Sequence, residues 1–158
     1  MLEQEIASLV HFFKPMGLTE YFGRLPQDIR TPSVFYPVPE ITGNEYTLSA
    51  YSNSYSLFLQ VFDRDDLSSY SIAAKMQRMI QAAKNTIPVY DEDGKPAGYH
   101  FRIKRLSVKN IDTGVTQIEI TWDCAVLYDT DAAEKVQNFY YEGLATSIGE
   151  EDSDNGEE

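Results

Sequence analysis

Leu2, Ile6, Leu9, Val10 and Phe13 recur at i, i+4, i+7, i+8 and i+11, which predicts an amphipathic helix ended by Pro15 and Gly17. The segment from Leu18 to Pro39 carries Pro26, Pro32, Pro37 and Pro39. Proline cannot sit inside a helix or a central strand, so this stretch is expected to be extended and irregular, with a short edge strand at Ser33 to Tyr36. Tyr46 to Tyr51 and Tyr55 to Asp63 read as two strands joined by a Ser52-Asn53-Ser54 turn. In the second of these, Tyr55, Leu57, Leu59 and Val61 face one way and Ser56, Phe58, Gln60 and Phe62 the other. Bulky groups on both sides predict a central strand covered on each face.

Asp65, Asp66 and Ser68 then supply N-terminal caps for a second helix striped by Ile72, Met76, Met79, Ile80 and Ala83, which Pro88 bars from continuing. Val89-Tyr90 and the run from Tyr99 flank Asp93-Gly94, a hairpin signal. On the returning strand Tyr99, Phe101 and Ile103 share a face, whereas Leu106 and Val108 are out of phase, which predicts a β-bulge near Lys104 and Arg105. After a turn at Asp112-Thr113-Gly114, Ile118, Ile120, Trp122, Cys124, Val126 and Tyr128 alternate with polar residues. That period of two predicts a strand with one face on the core and the other on water or a neighbouring chain. Asp131 is expected to cap a short C-terminal helix from Ala132. The fold class is therefore α+β: an antiparallel or mixed sheet of about four to five strands, packed by an N-terminal helix and a central helix. Residues 1–142 form one domain and 143–158 an acidic, disordered tail in this reading.

Charge changes the picture mainly at that tail. The formal net charge is −12, and six of the 25 acids lie between Gly149 and Glu158, where there is no base. The body is only mildly acidic, and the whole is ill suited to gripping nucleic acid, where affinity comes from Lys and Arg. One cysteine excludes an intramolecular disulfide, and no apolar run is long enough to span a bilayer. The reading is of a chain made in a reducing cytoplasm, without a membrane role.

No constellation for chemistry emerges. His11 and His100 lack companions at ligand spacing, and Cys124 alternates in phase with Trp122 as a small core residue. Asp91-Glu92-Asp93-Gly94 has its glycine at the fourth position and Arg102 at the twelfth, so it is a turn and not a calcium loop. No phosphate-loop, dinucleotide, zinc-protease or serine-hydrolase motif occurs. We therefore expect no catalytic residue, cofactor or metal, and no enzyme. Two features point to contact surfaces. The chain has eleven tyrosines, a residue favoured at interfaces. It also has a basic stripe at Arg102, Lys104, Arg105 and Lys109, suited to an acidic surface on a neighbouring subunit. The candidate interface residues are Arg24, Tyr46, Tyr51, Arg102, Lys104, Arg105, Glu119 and Asp123.

Arg24-Leu25-Pro26-Gln27-Asp28-Ile29, followed by Pro32-Ser33-Val34-Phe35-Tyr36-Pro37, resembles the corresponding segment of phage tail terminator (tail completion) proteins of Gram-positive phages. The resemblance extends over residues 1 to 140 as an order of elements: helix, short strand flanked by prolines, strand pair, helix ending near Asn85-Thr86-Ile87-Pro88, hairpin with Asp93-Gly94, long last strand. It implies a structural protein of a virion tail or tail-like particle, assembled in the host cytoplasm. Such a protein forms a homo-oligomeric ring, usually hexameric, that caps the tail tube. Its partners would be further copies of itself, the tail tube protein, the head-side connector and, in a contractile tail, the sheath, with DNA only as passing cargo. Other neck, head-closure or baseplate components share much of the pattern. A small ligand-binding or enzymatic α+β protein, or an adaptor unrelated to phages, is the alternative from another class.

Overall fold

The computed structural model describes residues 2–128, and in them the fold is α+β. Helix α1 (Leu2–Phe13) runs into a 3-10 turn at Lys14–Met16, and Gly17 closes it with φ +67°. The strands are β1 (Thr19–Phe22), β2 (Ser33–Tyr36), β3 (Glu40–Thr47), β4 (Ala50–Phe62), β5 (Thr86–Tyr90), β6 (Pro96–Asp112) and β7 (Val115–Leu127). Helix α2 (Asp66–Ala82) lies between β4 and β5 in sequence. The strand order is β1-β2-β4-β7-β6-β5, with β3 paired to β4. β1 runs parallel to β2, while β2–β4, β5–β6 and β6–β7 are antiparallel, so the sheet is mixed.

The described residues divide into two units, 2–43 with 53–124, and 44–52 with 125–128. The first unit holds the core. Leu57, Leu59 and Val61 of β4, Ile118, Ile120 and Trp122 of β7, Ile103 of β6 and Ile87 and Val89 of β5 are all buried on one face of the sheet. Leu9 and Phe13 of α1 and Ala73, Met76 and Ile80 of α2 close over them. Asp65 caps α2: its carboxylate accepts the Ser68 amide at 2.7 Å, and these bonds hold its carboxyl below the usual range. In the described part of the second unit, the Tyr51 and Tyr128 rings lie 5.4 Å apart and the Tyr128 amide donates to the Ser49 carbonyl at 3.0 Å.

Several expectations need correction. Among the described residues the sheet has seven strands, not four to five. The Leu18–Pro39 stretch is not irregular throughout, because β1 forms before its first proline. β2 is not an edge either, because β1 lies on its other side. The turn between β3 and β4 falls at Leu48-Ser49, and Ser52-Asn53-Ser54 lie inside β4. Their short polar side chains resemble turn formers but here occupy a half-exposed stretch of strand. β4 is interior in the strand order as expected, and Ser56, Phe58, Gln60 and Phe62 on its second face are only half-buried. The bulge is where the phase slip predicts it: register shifts between Ile103, paired with Trp122, and Arg105, paired with Thr121. The expected helix from Ala132 and the acidic tail lie outside the described residues.

The buried face of α1 also differs from the predicted stripe. Glu5 and Ser8 are buried, whereas Ile6 and Val10 are half-exposed. Both polar residues have long-range partners. Ser8 Oγ accepts the Tyr90 amide at 3.0 Å, and the Trp122 indole Nε1–H donates to Glu5 Oε2 at 2.7 Å. Burial pushes the Glu5 carboxyl above its ordinary value of 4.5, with the indole bond pulling the other way. The native state therefore holds the Glu5 proton more tightly than the unfolded chain does. This stabilisation is fully present below pH 4.5 and is lost as pH rises through the native value. Glu5→Gln keeps an acceptor for the indole and removes the charge. It is expected to raise the urea midpoint at about pH 7 and leave it unchanged in acid below the ordinary carboxylate range. An unchanged difference between the two conditions would contradict this.

Candidate functional site

The charged residues of β6 and β7 collect on the sheet face turned away from the helices. Arg102 alternates with buried Phe101 and Ile103 and so points outward. Lys104 is the extra residue of the bulge, and the register then puts Arg105 opposite Thr121 and Lys109 opposite Gln117, both outward. Without the bulge the basic residues would split between the two faces. Opposite them on β7, Glu119 and Asp123 alternate with the buried Ile118, Ile120 and Trp122.

Lys104 Nζ lies 2.6 Å from Asp123 Oδ2, and Ser54 Oγ donates to Asp123 Oδ1 at 2.7 Å. Lys104, and after it Ser54, hold the Asp123 carboxyl below the usual carboxylate range. Arg105 makes a looser pair with Glu119 at 4.0 Å. Both pairs are solvent-exposed and contribute about 1 kcal/mol or less to stability. Arg102 and Lys109 make no ion pair among the described residues. Beside Arg102 is a shallow cavity of about 410 Å³ lined by Asn85, Arg102, Ile103, Lys104 and Asp123. Asn85 sits in the left-handed region at φ +58°, held by the Ile103 amide on its carbonyl at 2.7 Å. Its Oδ1 is buried with no hydrogen-bond partner among the described residues.

Of the eight predicted contact residues, five (Arg102, Lys104, Arg105, Glu119 and Asp123) share this outer face. Tyr46, in β3, is 65 % exposed and Tyr51, in β4, is half-buried; both belong to the second unit. Arg24 is exposed in the loop after β1, where its amide closes a tight turn on the Phe22 carbonyl. Ser54 and Asn85 were not foreseen. Ser54 was hidden by its turn-like neighbours, whereas Asn85, directly after a helix and tolerant of positive φ, carried a usable signal.

β3 stands apart from the other strands because all eight of its residues are exposed, and among the described residues it pairs with β4. Its exposed apolar residues Ile41 and Tyr46 are flanked by Val38, 80 % exposed, and Leu48, 94 % exposed. β5 at the sheet's far end is protected: Pro88 lacks a donor, and α1 satisfies Tyr90 through Ser8 on its amide and Gln4 on its carbonyl. The outer face of β6 and β7 offers two ion pairs beside two cations that make none among the described residues, which suits protein contact.

No protein-family model matches the chain. It is similar to the phage-like element PBSX protein XkdJ of Bacillus subtilis strain 168, with 26% identity over 128 residues, 80% of this chain and 88% of that protein. It is also similar to the uncharacterized protein YqbJ of the same organism, with 21% identity over 141 residues, 89% of this chain and 97% of the relative.

Proposed function

We propose that this chain, a distant relative of a phage-like element protein, is a structural component of a phage-derived tail and acts as its terminator. The observation that carries the reading is the similarity to XkdJ, which runs along 80% of the chain. The order of elements supports it: N-terminal helix, short strands among prolines, strand pair, helix, hairpin and long last strand, as in tail terminators.

A terminator occupies the binding surface of the last tube subunit and offers no equivalent surface to another. Contact surfaces suffice for that work, and the chain is read as non-catalytic, without metal or cofactor. Copies join head to tail, and such heterologous contacts close into a ring when the rotation divides the circle, here six times. The ring meets the tube protein on one side and the head-side connector on the other, with sheath beside it in a contractile tail. DNA passes through without specific binding, kept from sticking by like charge. The protein resides in the virion tail or tail-like particle after assembly in the host cytoplasm. Electron microscopy of tubes polymerised from the tube protein of the same phage or prophage, with and without this chain, tests the reading.

A further inference from the structure

Resting on the ring reading, we propose that the outer β6–β7 face of each copy takes up the acidic run 149–158 of the neighbouring copy, and that this exchange holds the ring together. The face has an excess of positive charge in a chain of net charge −12. Arg102, Lys104, Arg105 and Lys109 are exposed on β6, against Glu119 and Asp123 on β7. Lys104 and Arg105 pair with those two acids, while Arg102 and Lys109 make no ion pair among the described residues. On the β4 side of β7, the outward Ser56, Phe58, Gln60 and Phe62 add no charge. Among the described residues the face therefore has two cations to spare.

The run supplies the matching sign. Glu150, Glu151, Asp152, Asp154, Glu157 and Glu158 stand in it with no base among them. Strand geometry puts Arg102 and Lys109 about 20 Å apart along β6, at ~3.4 Å per residue with one residue taken up by the bulge. Drawn out at the same rise, Glu151 and Glu157 are also about 20 Å apart, so both ends of the run can meet a cation at once. The cavity of about 410 Å³ beside Arg102 and Lys104 gives room for an incoming carboxylate side chain. Residues 129–148 separate the run from the last described residue, a length of chain that spans up to about 70 Å and so can reach another copy. Run and face lie in different parts of the sequence, so each copy gives one surface and receives another, which permits a head-to-tail ring. Complementary charge fixes which surfaces meet.

The test starts with carbodiimide cross-linking of an equal mixture of light and heavy isotope-labelled wild type, alone and on tail tubes. Bonds are expected from Lys104 or Lys109 of one label to acids of the run of the other. Cross-links from these lysines to the run that stay within one copy, or none to the run at all, would overturn the exchange. Light scattering on a sizing column then reads three variants that keep the wild-type circular dichroism. Arg102→Glu with Lys109→Glu is expected to associate at least about tenfold more weakly, remaining monomeric where wild type forms rings. Lys75→Glu with Arg78→Glu makes the same charge change at exposed positions of α2 and is expected to assemble as wild type does. A chain with Glu150→Lys, Glu151→Lys, Glu157→Lys and Glu158→Lys, mixed with the face variant, is expected to restore assembly, because its lysines meet the new glutamates. A face variant that forms rings as wild type does, an α2 variant that weakens equally, or a mixture that stays monomeric would overturn this contact while leaving the ring reading in place. A wild-type chain that is monomeric both alone and on tubes would remove the ring and the contact together.

Discussion

Trp122→Ala is expected to cost about 3–5 kcal/mol from lost burial and the cavity left behind, a large part of the total stability of an ordinary domain. The indole is fully buried, stacked on Tyr55 at 5.5 Å and tilted against Phe101 at 5.6 Å, so it joins side chains from three strands. Its loss also strands the Glu5 carboxylate, whose indole donor disappears, adding about 1–3 kcal/mol. Trp122→Phe keeps much of the ring contact and loses the donor, so it should fall between the two. Urea unfolding followed by circular dichroism checks the series. An alanine variant within about 1 kcal/mol of wild type would mean that Trp122 does not anchor α1 to the sheet.

Gly114→Ala is expected to be the most damaging change that adds a single methyl group, at about 3 kcal/mol. Gly114 turns β6 into β7 at φ +68°, a region that side-chain-bearing residues rarely enter. A Cβ there would lie 2.5 Å from the Asp63 carbonyl oxygen, a backbone atom that cannot swing aside. The same peptide is fixed on both sides: the Gly114 amide donates to Asp66 Oδ1 at 2.6 Å, and the Gly114 carbonyl accepts the Asp63 amide at 3.0 Å. The turn thus fastens the end of β4 and the start of α2 to the β6–β7 hairpin. Gly94→Ala is the control, since Gly94 has a similar φ of +74° but nothing within 4 Å of its Cβ. The same unfolding measurement should show Gly114→Ala losing clearly more than Gly94→Ala. Equal losses would assign the whole effect to backbone conformation and none to the close approach.

Periodicity made much of this architecture legible. The alternation along β7, the phase slip on β6 and the Asp65 cap each follow from local rules that tertiary structure did not override. Where the reading slipped, non-local partners decided. Glu5 and Ser8 look like solvent positions until Trp122 and Tyr90 are brought to them from more than 80 residues away. Ser52-Asn53-Ser54 has the composition of a turn, and only the pairing of β4 shows it to be strand. The outer face was half legible: β7 alternation marked Glu119 and Asp123, and the bulge accounts for why cations of mixed parity lie together opposite them. The exposure of β3 could not be read, since how far a strand is covered is a property of the whole sheet.

Electron microscopy of tail tubes grown in vitro with and without this chain tests the terminator reading most directly. The expected result is a ring of the chain at one end of each tube, with growth arrested there. Tubes that lengthen unchanged and carry none of the chain at either end would contradict it.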